Sequence, residues 1–193
     1  MNNGFSDTSA GRKYTNNPNE TIDMWHWKGV RTGLPFDQTH DQYVDSTNDP
    51  KVHKEFGRKG DAQEKGGYKN NINEAKTAPA FMNKDAKDNA IGSIKDENKV
   101  PFVDTFKAGD RIPGAVITKH DGSAGDIATK AVWKDGKWTM VFKRALVTTA
   151  PKDLEQDVQF NDLKKKYYFG VAAFDNAQIN HVSHEGSIEL TFK

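Results

Sequence analysis

Cysteine is absent from the chain, which excludes disulfides, thiolate metal centres, a cysteine nucleophile and any thioether-attached cofactor within this sequence. Long apolar runs are also missing. No stretch approaches the ~20 residues needed to cross a bilayer as a helix, and "NNGFSDTSAGRKYTNN" after Met1 lacks the apolar segment of a secretory signal. Neither charge sign dominates. The 28 Lys and Arg against 27 Asp and Glu give a net charge of +1, and without a basic stripe a nucleic-acid partner is not expected. Apolar residues are scarce, at 35% with a mean hydropathy of -0.85. Much of the chain is therefore loop with little core of its own. There is no fixed-period repeat, no heptad pattern and no phosphate-binding glycine loop; "GSAG" lies between predicted strands, not before a helix. No serine sits in a nucleophile elbow and no cluster has zinc-site spacing. Asp121 and Asp126 suit a cation or the cap of a turn better than glycoside hydrolysis.

At 193 residues the chain is long enough for one domain with a core. Residues 1–20 read as an irregular leading segment and 22–30 as a strand. In "TIDMWHWKGVRTG" a strand places Trp25 and Trp27 on one face and Met24, His26 and Lys28 on the other. Residues 32–100, dominated by Asp, Lys, Asn and Gly, read as a long polar lid or insertion of short helical turns and extended pieces pinned by scattered aromatics. The second half is more regular. Asp135-Gly136 is a type I′ turn sequence; pairing Lys134 with Lys137 then sets Trp133 opposite Trp138. Trp138, Met140 and Phe142 alternate with Lys137, Thr139 and Val141 as in a half-buried strand. "KYYFGVAAFD" reads as a strand covered on both faces, and "SIELTF" as one turning Ile188, Leu190 and Phe192 inward. These features predict a mainly β chain, a sandwich or barrel, with minor helix.

The histidines are His26, His40, His53, His120, His181 and His184. His181 and His184 flank one turn between two strong strands, where three-residue spacing directs both into one cavity if the turn is helical. Taken alone, a loop histidine is ordinarily a solvated polar residue, and His26 ordinarily satisfies a backbone carbonyl. Met24 and Met82 read first as packing residues.

Five stretches in order, "DMWHWKGVR", "HDQYVD", "GDIATKAVWKDGKWTMVFKRAL", "DVQF" and "YYFGVAAFDNAQINHVSH", resemble the haem-binding domain of the ethylbenzene dehydrogenase type. The resemblance covers most of residues 21–193, and the W-x-W-K strand combined with the G-D-I…W-x-D-G-x-W…R-x-L run is its specific part. It implies an immunoglobulin-like β-sandwich related to carbohydrate-binding and DOMON-like modules, holding one haem in an apolar pocket. Such a domain passes electrons as an exported cytochrome or redox-enzyme subunit and does no bond chemistry. The family's axial iron ligands come from Met, Lys and His, one of them after the "FGVAAFD"-type strand. Carried over, that segment makes His181 the first candidate ligand and His184 the second. Met82 and His26 are candidates for the other axial position. Met24, Trp25, Trp27 and Phe174 are candidates for the pocket.

Two departures from the family pattern accompany the match. The strands that normally precede the W-x-W strand are not visible, and neither is the Cys-x-x-Cys-His attachment motif of some relatives. The expected haem is b-type if the chain is complete and c-type if an attachment motif lies upstream. A redox partner protein or further cytochrome subunits, and a periplasmic or extracellular location, follow from the same resemblance. Two other readings stand beside it: a haem-less sandwich using its tryptophans to bind a carbohydrate or protein surface, and an assembly subunit whose polar segment orders on a partner.

Overall fold

A computed structural model describes residues 15, 20–45, 57–175 and 181–193. The chain is mainly β with several small sheets and little helix, as in a β-sandwich-like fold. Its contacts group into two compact units, residues 24–42 with 60–145, and residues 1–23, 43–59 and 146–193.

In the first unit the strands are β1 (Ile22–His26), β2 (Gln38–Val44), β3 (Arg58–Gly60), β4 (Gly67–Asn70), β5 (Phe81–Asn83), β6 (Ser93–Lys95), β7 (Lys99–Pro101), β8 (Ala115–Thr118), β9 (Ile127–Lys134) and β10 (Lys137–Lys143), of which β1, β2 and β3 each carry residues of both units. One sheet has the order β1-β2-β9-β10, with β3 paired to β2. A second has β8 between antiparallel β4 and parallel β6, and β5 pairs with β7. The β9–β10 hairpin forms in the expected register, Lys134 opposite Lys137 and Trp133 opposite Trp138. Asp135 and Gly136 both take the positive φ that the turn requires, 51° and 75°.

The aromatic face of the first strand is also as expected. Trp25 packs against Phe142 at 6.1 Å and Trp27 edge-on against Trp138 at 5.1 Å, so the sheet curls to bring β1 over β10. The strand is shorter than expected. It ends at His26, and Gly29–Gly33 wind into a wide helical turn in which the Arg31, Thr32 and Gly33 amides donate to the Lys28 carbonyl. The turn forms because the Trp27 indole lies directly on it: a Cβ at Gly33 would come within 2.1 Å of Trp27 Nε1.

Residues 32–100 contain the expected short pieces, but also β2, which is buried almost throughout. Strict alternation is missing from "QTHDQYV", and its interior face is polar, which concealed it from hydrophobic patterning. Apolar burial is thin: among the described residues Val44, Ile94, Val116, Ile117, Ala124 and Ile127 are the buried hydrophobics. Side-chain amides do much of the remaining organisation. Gln38 Nε2 donates to the carbonyls of His120 (2.9 Å) and Gly125 (2.8 Å) while its Oε1 accepts from the His120 amide (3.1 Å). Asn71 likewise donates to the Phe81 and Pro113 carbonyls and accepts from the Ala80 and Phe81 amides. Arg144 and Asp41, both fully buried, face each other at 3.6 Å, with the guanidinium 5.5 Å from the Trp25 ring.

The second unit contains β11 (Tyr167–Phe169) paired with β14 (Ile188–Leu190), and β12 (Ala172–Ala173) paired with β13 (Val182–Ser183). Phe160, Tyr167 and Phe192 form a cluster of edge-to-face rings at 4.9–5.9 Å. Ile188 and Leu190 of β14, and Phe192 just beyond it, are more buried than Glu189 and Thr191 between them, as their alternation predicts. The run from Lys166 to Asp175 differs from expectation. It is two short strands, each in a two-stranded ladder, and Tyr168, Phe169, Val171 and Phe174 are exposed.

Two substitutions probe this arrangement by urea unfolding. Asp41→Ala removes the buried carboxylate that faces the Arg144 guanidinium and is expected to cost about 3–5 kcal/mol. Gly33→Ala drives a methyl into the Trp27 ring and is expected to cost about 1–3 kcal/mol. Near-wild-type midpoints for either variant would remove that contact as a determinant of the fold.

Candidate functional site

A hollow of about 290 Å³ in the first unit is lined by Lys28, Arg31, Thr32, His40, His120 and Tyr68, with Gln63, Gly66 and Gly67 completing it. Local structure fixes each part. The turn at Gly29–Gly33 presents Lys28, Arg31 and Thr32 along one lip, where the Lys28 amide also donates to Thr32 Oγ1. Alternation along β2 places Gln38, His40 and Gln42 on one face. His120 follows β8 and is held by the Gln38 clamp.

The two imidazoles stack, with centroids 3.8 Å apart and planes at 15°. Lys28 Nζ donates to His40 Nδ1 at 2.7 Å, so that nitrogen carries the lone pair and the ring proton is on Nε2. His120 Nδ1 faces Gln63 Oε1 at 2.5 Å and donates to it, which leaves the lone pair on Nε2. Gly66, at φ +140°, lies so close that a Cβ would come within 2.4 Å of His120 Nδ1. Asp121 fastens this loop, its Oδ1 accepting from the Glu64 and Lys65 amides at 2.9 Å. Arg31 spreads its guanidinium 4.1 Å above the Tyr68 ring. Burial, reinforced by the nearby Lys28 charge and opposed by Asp121, lowers the His120 pKa to about 4. His120 is therefore neutral across the physiological range.

A second hollow in the same unit, of about 420 Å³, is lined by Met82, Ala86, Lys87, Thr105, Phe106 and Arg111 among others. Met82 is placed by the β5–β7 pair, opposite Val100, and its Sδ accepts from the Val103 amide at 3.4 Å. Phe102 and Phe106 stack beside it at 5.7 Å.

The residues singled out from the sequence are distributed over both units. His26 is half-buried and meets Gln42 Oε1 through Nδ1 at 2.9 Å. Met24 is half-buried, and Trp25 and Trp27 belong to the aromatic contacts with β10. In the other unit His181 is exposed with its ring 4.7 Å from Phe174, and the exposed His184 donates its amide to the Val171 carbonyl at 2.8 Å. His53 lies outside the described residues. Sequence reasoning did not single out His40, His120 or Arg31, and read Lys28 with Met24 and His26 as one strand face of possible metal or ligand contacts. The usable signals were the alternating Gln38, His40 and Gln42 and the Gly66-Gly67 pair.

Architecture and sequence together define the class, a mainly β chain with aromatic strands and polar hollows. The profile of the ethylbenzene dehydrogenase family matches residues 2–186, and the chain belongs to that family. Membership marks it as a redox-enzyme-associated subunit of a larger complex. No curated protein matches the chain, and no solved structure does. No helix among the described residues is long and apolar enough to cross a membrane.

The lowered His120 pKa has a measurable consequence. Above about pH 6.5 the ring is neutral in folded and unfolded chains alike, so it adds no pH dependence. Between there and pH 4 the unfolded chain takes up a proton that the folded chain refuses, and stability falls as the pH drops. Solvent screening keeps the loss below the roughly 3 kcal/mol that an unscreened shift of this size would give. Urea unfolding at a series of pH values is expected to show a shallower decline for His120→Gln than for the wild type. Parallel declines would place the His120 pKa near its ordinary value.

Proposed function

We propose that the chain is a haem-binding, electron-transferring subunit of an exported redox enzyme or cytochrome, located in the periplasm or at the cell surface and without bond chemistry of its own. The family match over residues 2–186 carries this reading. Bound haem supplies a one-electron couple. The residues around Met82 fit such a group: a thioether for the iron, Phe106 beside it to exclude water, and Lys87 and Arg111 to meet propionates. A thioether ligand favours ferrous iron and raises the potential. His26 is a further candidate ligand in the unit of Met82; in the other unit, taken by itself, His181 with Phe174 beside it is the leading candidate, followed by His184. With no cysteine in this sequence the group is b-type here, or c-type if attached through residues upstream.

A redox partner is part of the proposal. A second reading, a module that binds a carbohydrate or a partner surface, is favoured by the hairpin. There Trp133 and Trp138 are 57% and 45% exposed, beside Val132 and Val141.

The test is an absorption spectrum of the purified chain after haem reconstitution, oxidised and then dithionite-reduced, with a pyridine haemochrome assay. A Soret band with sharp reduced bands and a b-type haemochrome is expected. Met82→Ala or His181→Ala should lower occupancy or shift the reduced bands far more than His53→Ala. Spectra unchanged in both variants would remove both residues from the site. Absorption from tryptophan alone would overturn the haem reading and leave the binding module.

A further inference from the structure

The geometry points to the His40–His120 hollow as a binding site for a small oxyanion that carries a hydroxyl group, such as hydrogen phosphate or a short 2-hydroxycarboxylate. This proposal does not depend on haem. The volume of about 290 Å³ suits a ligand of a few heavy atoms. Two cations, Lys28 and Arg31, line it, and no carboxylate does. Arg31 has no ion-pair partner among the described residues, and its fork is oriented by the Tyr68 ring alone. A guanidinium held flat on an aromatic face is pre-organised for two oxygens of one anion. The Thr32 hydroxyl and the Gly66-Gly67 backbone add neutral polar groups to the wall.

The histidine stack supplies the second half of the recognition. Among the described residues no hydrogen bond reaches His120 Nε2, which is not sealed in the interior, while Nδ1 is committed to Gln63. A neutral imidazole with its proton on Nδ1 offers a lone pair at Nε2, which calls for a donor on the ligand. An anion without a hydrogen satisfies the cations and leaves that acceptor unmet. Monohydrogen phosphate or a hydroxy acid satisfies both. The two glycines keep the wall thin. Gly66 has no room for a side chain, and Gly67, at φ +103°, holds a conformation that L side chains rarely adopt.

The experiment titrates the full haem-free chain with inorganic phosphate and with sulfate, at about pH 7.5, where phosphate retains a proton and sulfate has none. Calorimetry gives the affinities and nitrogen NMR of the His120 side chain reports Nε2. Glycolate against acetate forms the parallel arm that separates a carboxylate source from a phosphate source. The expected result is saturable binding of phosphate or glycolate, about tenfold tighter than its hydroxyl-free counterpart, with a shift of the His120 Nε2 resonance. Arg31→Gln, at the lip and packed on Tyr68, should weaken binding by about tenfold or more without unfolding the chain. His120→Gln should abolish the preference for the hydroxyl-bearing anion. Absence of saturable binding in both arms, an unmoved His120 resonance, or unchanged affinity in Arg31→Gln would overturn the proposal. These readouts contain no haem signal, so they fail or succeed independently of the spectroscopy above.

Discussion

The buried Gln38 amide, bonded at three points to a loop more than eighty residues away, is the contact on which the first unit most depends. The recorded ladder between β2 and β9 is only two residue pairs long, Gln38 with Ala128 and Thr39 with Ile127. A Thr39–Thr129 hydroxyl contact at 2.7 Å lies beside it. So short a ladder holds a loop poorly unless side chains replace missing backbone partners. An amide has both donors and acceptors, and Gln38 uses both kinds on the backbone of His120 and Gly125. Removing it would leave buried carbonyls and an amide without partners, a cost well above the net worth of the bonds themselves.

The low apolar content makes this device general. Asn71 and Asn83 grip irregular backbone in the same way, Asn83 bonding to Asn89 and the Ser93 carbonyl. Directional bonds replace part of the non-directional drive of burial. They also leave polar groups in the interior, and that is where the histidine hollow arises. Gln38 and His40 share a face of β2, so the residue that fixes the His120 loop also fixes the distance between the two stacked rings. Burial of that stack beside the Lys28 ammonium keeps His120 neutral and its lone pair available. Structure and site chemistry thus have one source.

The two hollows lie in the same unit but are lined by different residues. In the proposed reading the thioether and cationic lining around Met82 would hold the redox cofactor, and the proposed anion would lie against the Lys28–Arg31 lip. A subunit of a redox complex can need both, one for electrons and one for a charged ligand.

Local chemistry determined what the sequence could disclose. Positive φ at Asp135 and Gly136, the pairing of Trp133 with Trp138, the inward Ile188, Leu190 and Phe192, and the aromatic face of Trp25 and Trp27 follow from turn geometry and two-residue periodicity alone. The ordered motifs likewise sufficed for the family. Tertiary structure decided the rest. β2 is buried through hydrogen bonds with no hydrophobic period to announce it. The turn after Trp27 exists because an indole lies on Gly33. His40 and His120, eighty positions apart, become a pair only when a strand and a clamped loop bring their rings face to face, a relation set by long-range bonds and by no spacing in the sequence.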